Sequence, residues 1–229
     1  MKEYNIDSIS VDDLEKGKMI LVDKPIRWTS FDVVKYIRKL LQLKFKIKKI
    51  KVGHAGTLDP LATGLLIVCI GKQTKSISEY QDLKKTYTGK FKLGETTLSY
   101  DAETSVNEKF EYEHITYHQI KKLAIEFIGK IIQKPPIYSA VKKGGKRLYE
   151  YARKNIEIEI DNREVNIYDF KIINFSTPYI EFKIECSKGT YIRSIANDFG
   201  KRLNSGSYLY ELRRTKIGEF SVVNAMDIK

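Results

Sequence analysis

The chain has 229 residues, of which 42% are hydrophobic and 31% are charged, as is typical of a folded globular protein rather than a disordered one. Its longest apolar run, Leu65–Ile70, is too short to span a bilayer, and the N-terminal segment lacks the apolar core of a signal peptide, so we expect a cytoplasmic protein. The formal net charge of +12 favours a polyanionic partner, and nucleic acid is the first candidate.

The first predicted elements are a buried strand and an amphipathic helix. Met19–Val22 is expected to form the strand, which ends at a polar turn. Ser30 is a good N-cap for a helix over Phe31–Leu41, whose apolar positions fall on one stripe. The next segment, Lys44–Lys51, alternates lysine with apolar residues. We expect it to be an exposed edge strand kept soluble by its lysines, with contact to phosphate as a second use.

The glycine-rich segment Lys51–Gly64, KVGHAGTLDPLATG, combines a carboxylate, an imidazole and two hydroxyls with apolar flanks. Pro60 biases Asp59 toward an extended or turn conformation, and the apolar strand Leu65–Ile70 follows. Asp59 is therefore expected on a rigid loop that enters a buried strand, and such loops commonly carry catalytic groups. A glycine-rich turn in which Asp59 only caps the backbone is an equally good interpretation of these features alone.

The middle of the chain predicts a helix, a strand and a loop. The helix runs from Gly71 to about Leu83, and the alternating strand Lys84–Leu93 contains Tyr87. Gly94–Glu103 is polar and rich in turn residues, which predicts a loop. Tyr87 is therefore expected inside a sheet.

Two histidines four residues apart raise the question of a metal site. Thr116 and Gln119 form a capping box at the start of a helix that runs through Ile128. Because the cap is Thr116, His114 lies outside this helix and does not share a face with His118, and no third ligand is near. We therefore predict no metal site here.

The segment 133–153, QKPPIYSAVKKGGKRLYEYAR, contains a basic turn at Lys142–Arg147. It is either an ordinary surface hairpin or a mobile flap that closes over a polyanion. Ile156–Ile160 alternates strictly and predicts a strand. Glu164–Phe175 and Tyr179–Cys186 are expected to form an antiparallel pair of strands.

The last predicted helix covers Tyr191–Leu203 and begins at Thr190. Arg193 lies in its first turn, where the helix dipole disfavours a cation. This arginine therefore either has a compensating carboxylate or points into water. Cys69 and Cys186 lack the spacing of a metal site and are expected to be buried thiols.

Four segments in chain order, LVDKPIRWTSFDVV, GHAGTLDPLATGLL, PPIYSAVKKGGKRLYEYAR and CSKGTYIRSIANDFG, closely resemble the TruB family of tRNA pseudouridine synthases. The resemblance implies an α+β fold. It implies a single pseudouridine-synthase-like domain over residues 1–229, with a central mixed, mainly antiparallel sheet, flanking helices and a basic thumb-like flap at about 133–153. The implied reaction turns uridine into pseudouridine at position 55 in the T loop of tRNA. The N1–C1′ bond breaks, the uracil rotates and a C5–C1′ bond forms. No cofactor or metal is implied, the partner is the T arm of tRNA, and we expect a monomer.

The resemblance also assigns roles to individual residues. Asp59 matches the nucleophile, which attacks C1′ of the ribose or C6 of the base, and Arg193 matches the arginine that pairs with it. The residues matched to substrate contacts are Tyr87, which stacks on the uracil, Leu212 beside the base, and His54, which holds the T loop. The residues we expect on the RNA backbone are Lys24, Lys142, Lys143, Lys146 and Arg147.

Arg27 departs from the family pattern, because it stands where the family has glycine in a KPxG turn, and we expect that turn to be reshaped or to gain a phosphate contact. We also expect no separate C-terminal PUA domain, because the chain ends soon after Phe220. Two other functions remain open at this stage. One is an RNA-folding module, alone or alongside the enzyme, and the other is a subunit of a guide-RNA pseudouridylation complex.

Overall fold

The computed structural model describes residues 6–154 and 156–228. They form two compact units, of which the first joins the residues up to Tyr87 with those from Leu212 onward, and the second is Thr88–Glu211. Both units combine sheets with helices, which confirms the predicted α+β class. The single catalytic domain over 1–229 stays a prediction. No helix within the described residues has the length and apolar character needed to cross a membrane.

The α-helices are α1 (Val11–Lys16), α2 (Ser30–Phe45), α3 (Ile77–Asp82), α4 (Tyr117–Glu126), α5 (Leu148–Ala152) and α6 (Ile192–Arg202). The strands are β1 (Lys18–Lys24), β2 (Val52–Ala55), β3 (Thr63–Ile70), β4 (Lys85–Leu93), β5 (Glu95–Thr97), β6 (Val106–Lys109), β7 (Gly129–Gln133), β8 (Lys142–Lys143), β9 (Lys146–Arg147), β10 (Arg163–Ser176), β11 (Tyr179–Cys186), β12 (Ser207–Ile217), β13 (Phe220–Ser221) and β14 (Met226–Asp227). Short 3₁₀ helices cover Ile6–Ser8, Gly71–Ser76 and Val222–Asn224.

Strand β3 is the centre of the first unit's mixed sheet. It runs antiparallel to β1 and β2 and parallel to β12, while β14 runs parallel to β1. Every residue of β3 after Thr63 is buried, which explains its unbroken apolar sequence. The loop between β2 and β3 carries Asp59, so this loop is anchored on two paired strands. The prediction of a loop entering a buried strand is confirmed.

Helix α2 covers one face of this sheet through a buried apolar stripe that includes Val33, Ile37 and Leu41. The predicted N-cap at Ser30 was wrong. Thr29 is the cap, because Thr29 and Asp32 form a capping box. The hydroxyl of Ser30 is thereby left available for a tertiary contact.

The predicted edge strand at Lys44–Lys51 was wrong, since no strand covers these residues in the described chain. Helix α2 continues to Phe45, and Lys46 then ends it in the left-handed conformation. Phe45 and Ile50 pack against the core cluster under the helix. The alternating sequence therefore does not indicate a strand. Phe45 and Ile50 contact the core separately, and the lysines between them are exposed.

In the second unit, β10 pairs antiparallel with both β11 and β7, which confirms the predicted antiparallel pair. Their core is an aromatic cluster, whose members are Phe91, Phe127, Phe170, Phe182 and Phe199. The capping box at Thr116 and helix α4 agree with the prediction.

Two other predictions for this unit need correction. Ile156–Ile160 forms no strand in the described chain, because none of these residues is buried and none has a partner strand. Helix α6 is capped by Tyr191 rather than Thr190, whose hydroxyl donates instead to the carbonyl oxygen of Ser187. The predicted loop Gly94–Glu103 contains the short strand β5, which pairs with β6.

The two cysteines are free and buried, as predicted. Cys69 lies on β3 and Cys186 ends β11. Burial raises the pKa of the Cys69 thiol to about 12, so this thiol stays protonated at neutral pH.

Candidate active site

The Asp59 loop is fixed by contacts on both sides of the carboxylate. The hydroxyl of Ser30 accepts a hydrogen bond from the backbone N–H of Leu58 (2.8 Å) and donates to its carbonyl oxygen (3.2 Å). The backbone N–H of Arg27 donates to the carbonyl oxygen of Pro60 at 2.7 Å. Asp59 itself is partly exposed. A partly exposed acid on an immobilised backbone is pre-organised for a reaction.

Lys24 is the second support of this loop, and it is fully buried. Its Nζ donates to the carbonyl oxygens of Pro25 (2.9 Å), Trp28 (2.5 Å) and Pro60 (3.3 Å). Burial lowers the pKa of Lys24 to about 8, and the Asp59 carboxylate opposes that shift. The predicted RNA-backbone contact by Lys24 was therefore wrong, because an ammonium group with no exposed surface cannot contact a phosphate. Lys24 instead ties the turn at 24–28 to the Asp59 loop.

Arg214 is the third support, and sequence reasoning missed it. The side chain is buried, and it donates from Nε to the carbonyl oxygen of Leu65 (2.8 Å) and from Nη2 to that of Gly56 (2.9 Å). Gly64 lies opposite Arg214 in the pairing of β3 with β12. A Cβ at Gly64 would come within 2.3 Å of the Arg214 carbonyl oxygen, so only glycine permits this approach.

Arg213 adds an ion pair in the same region. Its guanidinium forms a bidentate pair with the Asp23 carboxylate, at 3.0 Å and 2.5 Å, and also donates to the Thr63 hydroxyl at 3.3 Å. Arg213 is paired in register with Thr63, where the Asp59 loop joins β3. The preceding residue, the half-buried Leu212, lies next to this pair on β12, and its contact with the base stays a prediction.

His54 lies on β2 and is largely buried. Burial, with a smaller contribution from the Arg214 guanidinium, lowers the pKa of His54 below its ordinary value, so the imidazole is neutral at neutral pH. Its Nδ1 is buried and has no hydrogen-bond partner among the described residues. A neutral ring suits shape and hydrogen-bond recognition better than charge attraction.

Tyr87 lies on β4 with 9% of its surface exposed. Its position in a strand agrees with the prediction. Its small exposed fraction leaves little of the side chain open to a ligand. The structure thus places Asp59, His54, Tyr87 and Leu212 in the first unit.

Arg193 belongs to the second unit and is almost completely buried in the first turn of α6. Its Nη1 donates to the carbonyl oxygens of Ser99 (3.2 Å) and Tyr138 (2.9 Å). Its Nε lies 3.6 Å from a carboxylate oxygen of Asp101, which sequence reasoning missed. Asp101 thus supplies a compensating carboxylate for the cation in the first turn of α6. The pairing of Arg193 with Asp59 stays a prediction.

The basic turn of the predicted flap is a small hairpin of β8 and β9. Lys142, Lys146 and Arg147 are exposed, whereas Lys143 forms an ion pair with Asp161 at 3.0 Å. Three of the four backbone contacts predicted in this hairpin are therefore open to a polyanion. Among the described residues, no group of three or more His, Cys, Asp or Glu side chains could hold a metal ion.

Comparison with known proteins gives the family. Residues 38–192 match the TruB family pseudouridylate synthase (N terminal domain). The chain belongs to the TruB family. A relative from Flavobacterium johnsoniae, named tRNA pseudouridine synthase B, is 54% identical over 214 residues, which cover 93% of each chain. A relative of the same name from Chloroherpeton thalassium is 51% identical over 91% of this chain and 86% of its own. The predicted activity, that of a pseudouridine synthase, is confirmed.

Two solved structures have a similar fold. A chain in the crystal structure of a Cbf5–Nop10–Gar1 complex superposes with a TM-score of 0.71 and 25% identity over 100% of this chain. A chain in an H/ACA RNP bound to a substrate RNA containing 2′-deoxyuridine gives a TM-score of 0.68 at 24% identity over 98% of this chain. This chain spans 58% and 55% of those two chains. The second likeness supports the fold alone.

Proposed function

We propose that this TruB-family protein converts uridine 55 in the T loop of tRNA to pseudouridine, with Asp59 as the nucleophile. The names of the relatives support a tRNA substrate. The observation that carries the proposal is the Asp59 loop, whose backbone is held by Ser30, Lys24 and Arg27 while the carboxylate stays partly exposed.

The target uridine is stacked in the folded T arm, so it has to be flipped out at a cost of a few kcal/mol. Contacts to the flipped base offset that cost. Tyr87 offers an aromatic surface and Leu212 an apolar one, and stacking on an aromatic ring contributes about 1–3 kcal/mol per base. The neutral His54 is the proposed contact that holds the T loop with its base turned out.

The reaction moves the glycosidic bond without a net change in atoms. Asp59 attacks C1′ or C6, which gives a covalent intermediate and divides one difficult step into two. The N1–C1′ bond breaks, the uracil rotates and rejoins the ribose through C5, and the bond to Asp59 breaks to release the carboxylate. The proton on C5 then leaves and N1 gains one. The buried Lys24 ammonium favours the ionised, nucleophilic form of Asp59. The proposed role of Arg193 is to pair with the same carboxylate, since its guanidinium stays charged when buried.

The proposal is tested with Asp59→Asn on a tRNA transcript and on a T-arm hairpin. The variant should form no detectable pseudouridine, yet bind tRNA within about threefold of the original chain, because the substitution keeps the shape of the side chain. Asp12→Asn is the matched control, since Asp12 is exposed on α1 and should leave turnover unchanged. Turnover by Asp59→Asn would contradict the nucleophile assignment, and product from a transcript with cytidine at position 55 would contradict the target.

The bare hairpin also separates the other two functions. Conversion without added RNA supports a stand-alone synthase, whereas a need for guide RNA supports a subunit of a larger complex. An additional role in tRNA folding predicts that Asp59→Asn, which binds without converting, still accelerates tRNA folding. The exposed cations of the β8–β9 hairpin are the surface that such a role would use.

A further inference from the structure

A basic cleft lies at the end of the first unit's sheet that is remote from Asp59. It has a volume of about 480 Å³. The side chains that give it its charge are Glu15, Lys49, Lys51, Lys72 and Lys75. We propose that this cleft binds the phosphate backbone of the substrate RNA at a point well away from the flipped nucleotide. The inference rests on the proposed function, because it takes tRNA as the substrate.

The distance between the cleft and the Asp59 loop can be estimated from the lengths of β3 and α2. Strand β3 begins at Thr63, just after the Asp59 loop, and ends at Ile70, next to the cleft residue Gly71. Its eight residues, at about 3.3 Å each, separate the two ends by roughly 23 Å. Helix α2 starts at Ser30, which binds the Asp59 loop, and its 16 residues span roughly 24 Å before the chain reaches the cleft.

The charges in the cleft are unbalanced. Lys49, Lys51, Lys72 and Lys75 are exposed, and among the described residues none of them forms an ion pair. Glu15 is the only acidic side chain among the described lining residues. Such a surface attracts a polyanion, and each phosphate it neutralises releases counterions from the nucleic acid.

The remaining acids of α1 are already neutralised. The Asp12 carboxylate pairs with Lys16 at 2.9 Å, and that of Asp13 pairs with Lys18 at 3.0 Å. They therefore do little to cancel the lysines of the cleft. An excess of positive charge is left on this face.

The cleft is also preformed. Leu14 and Ile50 line it and pack against the buried core cluster, so its floor is part of the folded sheet and helix layer. A Cβ on Gly71 would lie 2.6 Å from the carbonyl oxygen of Leu14, and this close approach locks α1 against the 3₁₀ helix that carries Lys72 and Lys75. Lysines on a fixed frame lose less conformational freedom on binding than lysines on a mobile tail.

RNA fits this cleft better than an acidic protein does, because an RNA bound at Asp59 is long enough to reach the cleft as well. A duplex with one phosphate per about 3.4 Å along each strand covers the separation of about 23 Å in roughly seven base pairs. One folded tRNA can therefore reach both sites. A hairpin cut to the T loop and a stem of about four base pairs has only about 14 Å of helix, which is shorter than this separation.

The test removes the cleft's charge and compares long with short RNA. The cleft variant combines Lys49→Ala, Lys51→Ala, Lys72→Ala and Lys75→Ala. The matched control removes the same total charge from exposed positions elsewhere, and combines Lys39→Ala, Lys121→Ala, Lys122→Ala and Lys183→Ala. Both sets are made with Asp59→Asn, and affinity for tRNA and for the short hairpin is measured from about 50 to 200 mM salt.

We expect the cleft variant to bind tRNA at least about tenfold more weakly at 100 mM salt and to bind the short hairpin within about twofold of its parent. Its slope of log Kd against log salt should fall by about 0.9 for each phosphate that the cleft no longer neutralises. The control set should weaken tRNA binding by less than about threefold. Unchanged tRNA affinity would overturn the proposal and leave an acidic protein as the occupant. Equal losses with the control set, or on the short hairpin, would also overturn it.

Pseudouridine formation on the short hairpin, measured with Asp59 restored, keeps this inference separate from the proposed function. The cleft variant should convert that hairpin at the original rate. If the unaltered chain converts the hairpin and tRNA but the cleft variant binds tRNA normally, only the cleft proposal fails. If the unaltered chain converts neither RNA, the proposed function fails.

Discussion

Lys24 gives a prediction that the structure makes quantitative. Its ammonium group is fully buried, and its folded-state pKa of about 8 lies below the ordinary lysine value of 10.5. Between these two pH values the unfolded chain binds more protons at this position than the folded chain does, so stability rises with pH. The difference between the two pKa values corresponds to about 3 kcal/mol. The destabilisation is therefore complete below about pH 8 and is relieved as the pH rises toward 10.5.

Lys24→Met removes this titration while keeping the length of the side chain. The free energy of unfolding of the original chain and of Lys24→Met is measured in urea by far-UV circular dichroism from about pH 7 to 10.5. The difference between the two proteins isolates the contribution of Lys24, because all other groups titrate alike in the two proteins. The free energy of unfolding of the original chain, minus that of the variant, should rise by about 3 kcal/mol across this range. Lys39→Met, at an exposed position, is the control and should give a flat difference. A flat difference for Lys24→Met would refute the buried ammonium.

Three further results are expected from residues that hold the Asp59 loop. Ser30→Ala removes both hydrogen bonds to Leu58 and should cost about 1–3 kcal/mol in urea unfolding. It should lower kcat more than it raises KM, and an equal effect on both would show that Ser30 supports only the fold. Arg27 has a left-handed backbone with φ +68°. Both Arg27→Gly and Arg27→Ala remove the side chain, but alanine keeps the left-handed backbone strain, so the glycine variant should be more stable by about 1 kcal/mol. Equal stability of the two variants would contradict the left-handed backbone.

Local patterns predicted the elements whose signals are complete within a few residues. The capping box at Thr116 specifies where α4 begins, and the unbroken apolar run of β3 requires burial on both faces of the sheet. The alternating segments Lys44–Lys51 and Ile156–Ile160 failed as strands. A strand also needs a partner edge and a buried face, and neither requirement is visible in the segment itself.

The supports of the site were missed for a related reason. Arg213 and Arg214 are adjacent and chemically identical, and alternation in β12 turns one toward a surface ion pair and the other into the protein. Asp101 lies in a segment whose polar sequence predicts only a loop, and its contact with Arg193 joins residues far apart in the chain. The resemblance to the TruB family indicates which residues are predicted to touch the substrate, and the groups that hold the Asp59 loop became visible only in three dimensions.

Two buried cations, Lys24 and Arg214, hold the backbone of the Asp59 loop and of its flanks. Lys24 and Arg214 direct their hydrogen bonds to carbonyl oxygens of the loop and its flanks. Each cation therefore stabilises the loop through its hydrogen bonds and adds positive potential around the carboxylate. The proposed nucleophile role requires the Asp59 oxygens to exchange their contacts when a covalent bond forms and then breaks. Because these hydrogen bonds hold the backbone rather than the side chain, the loop keeps its position through that exchange.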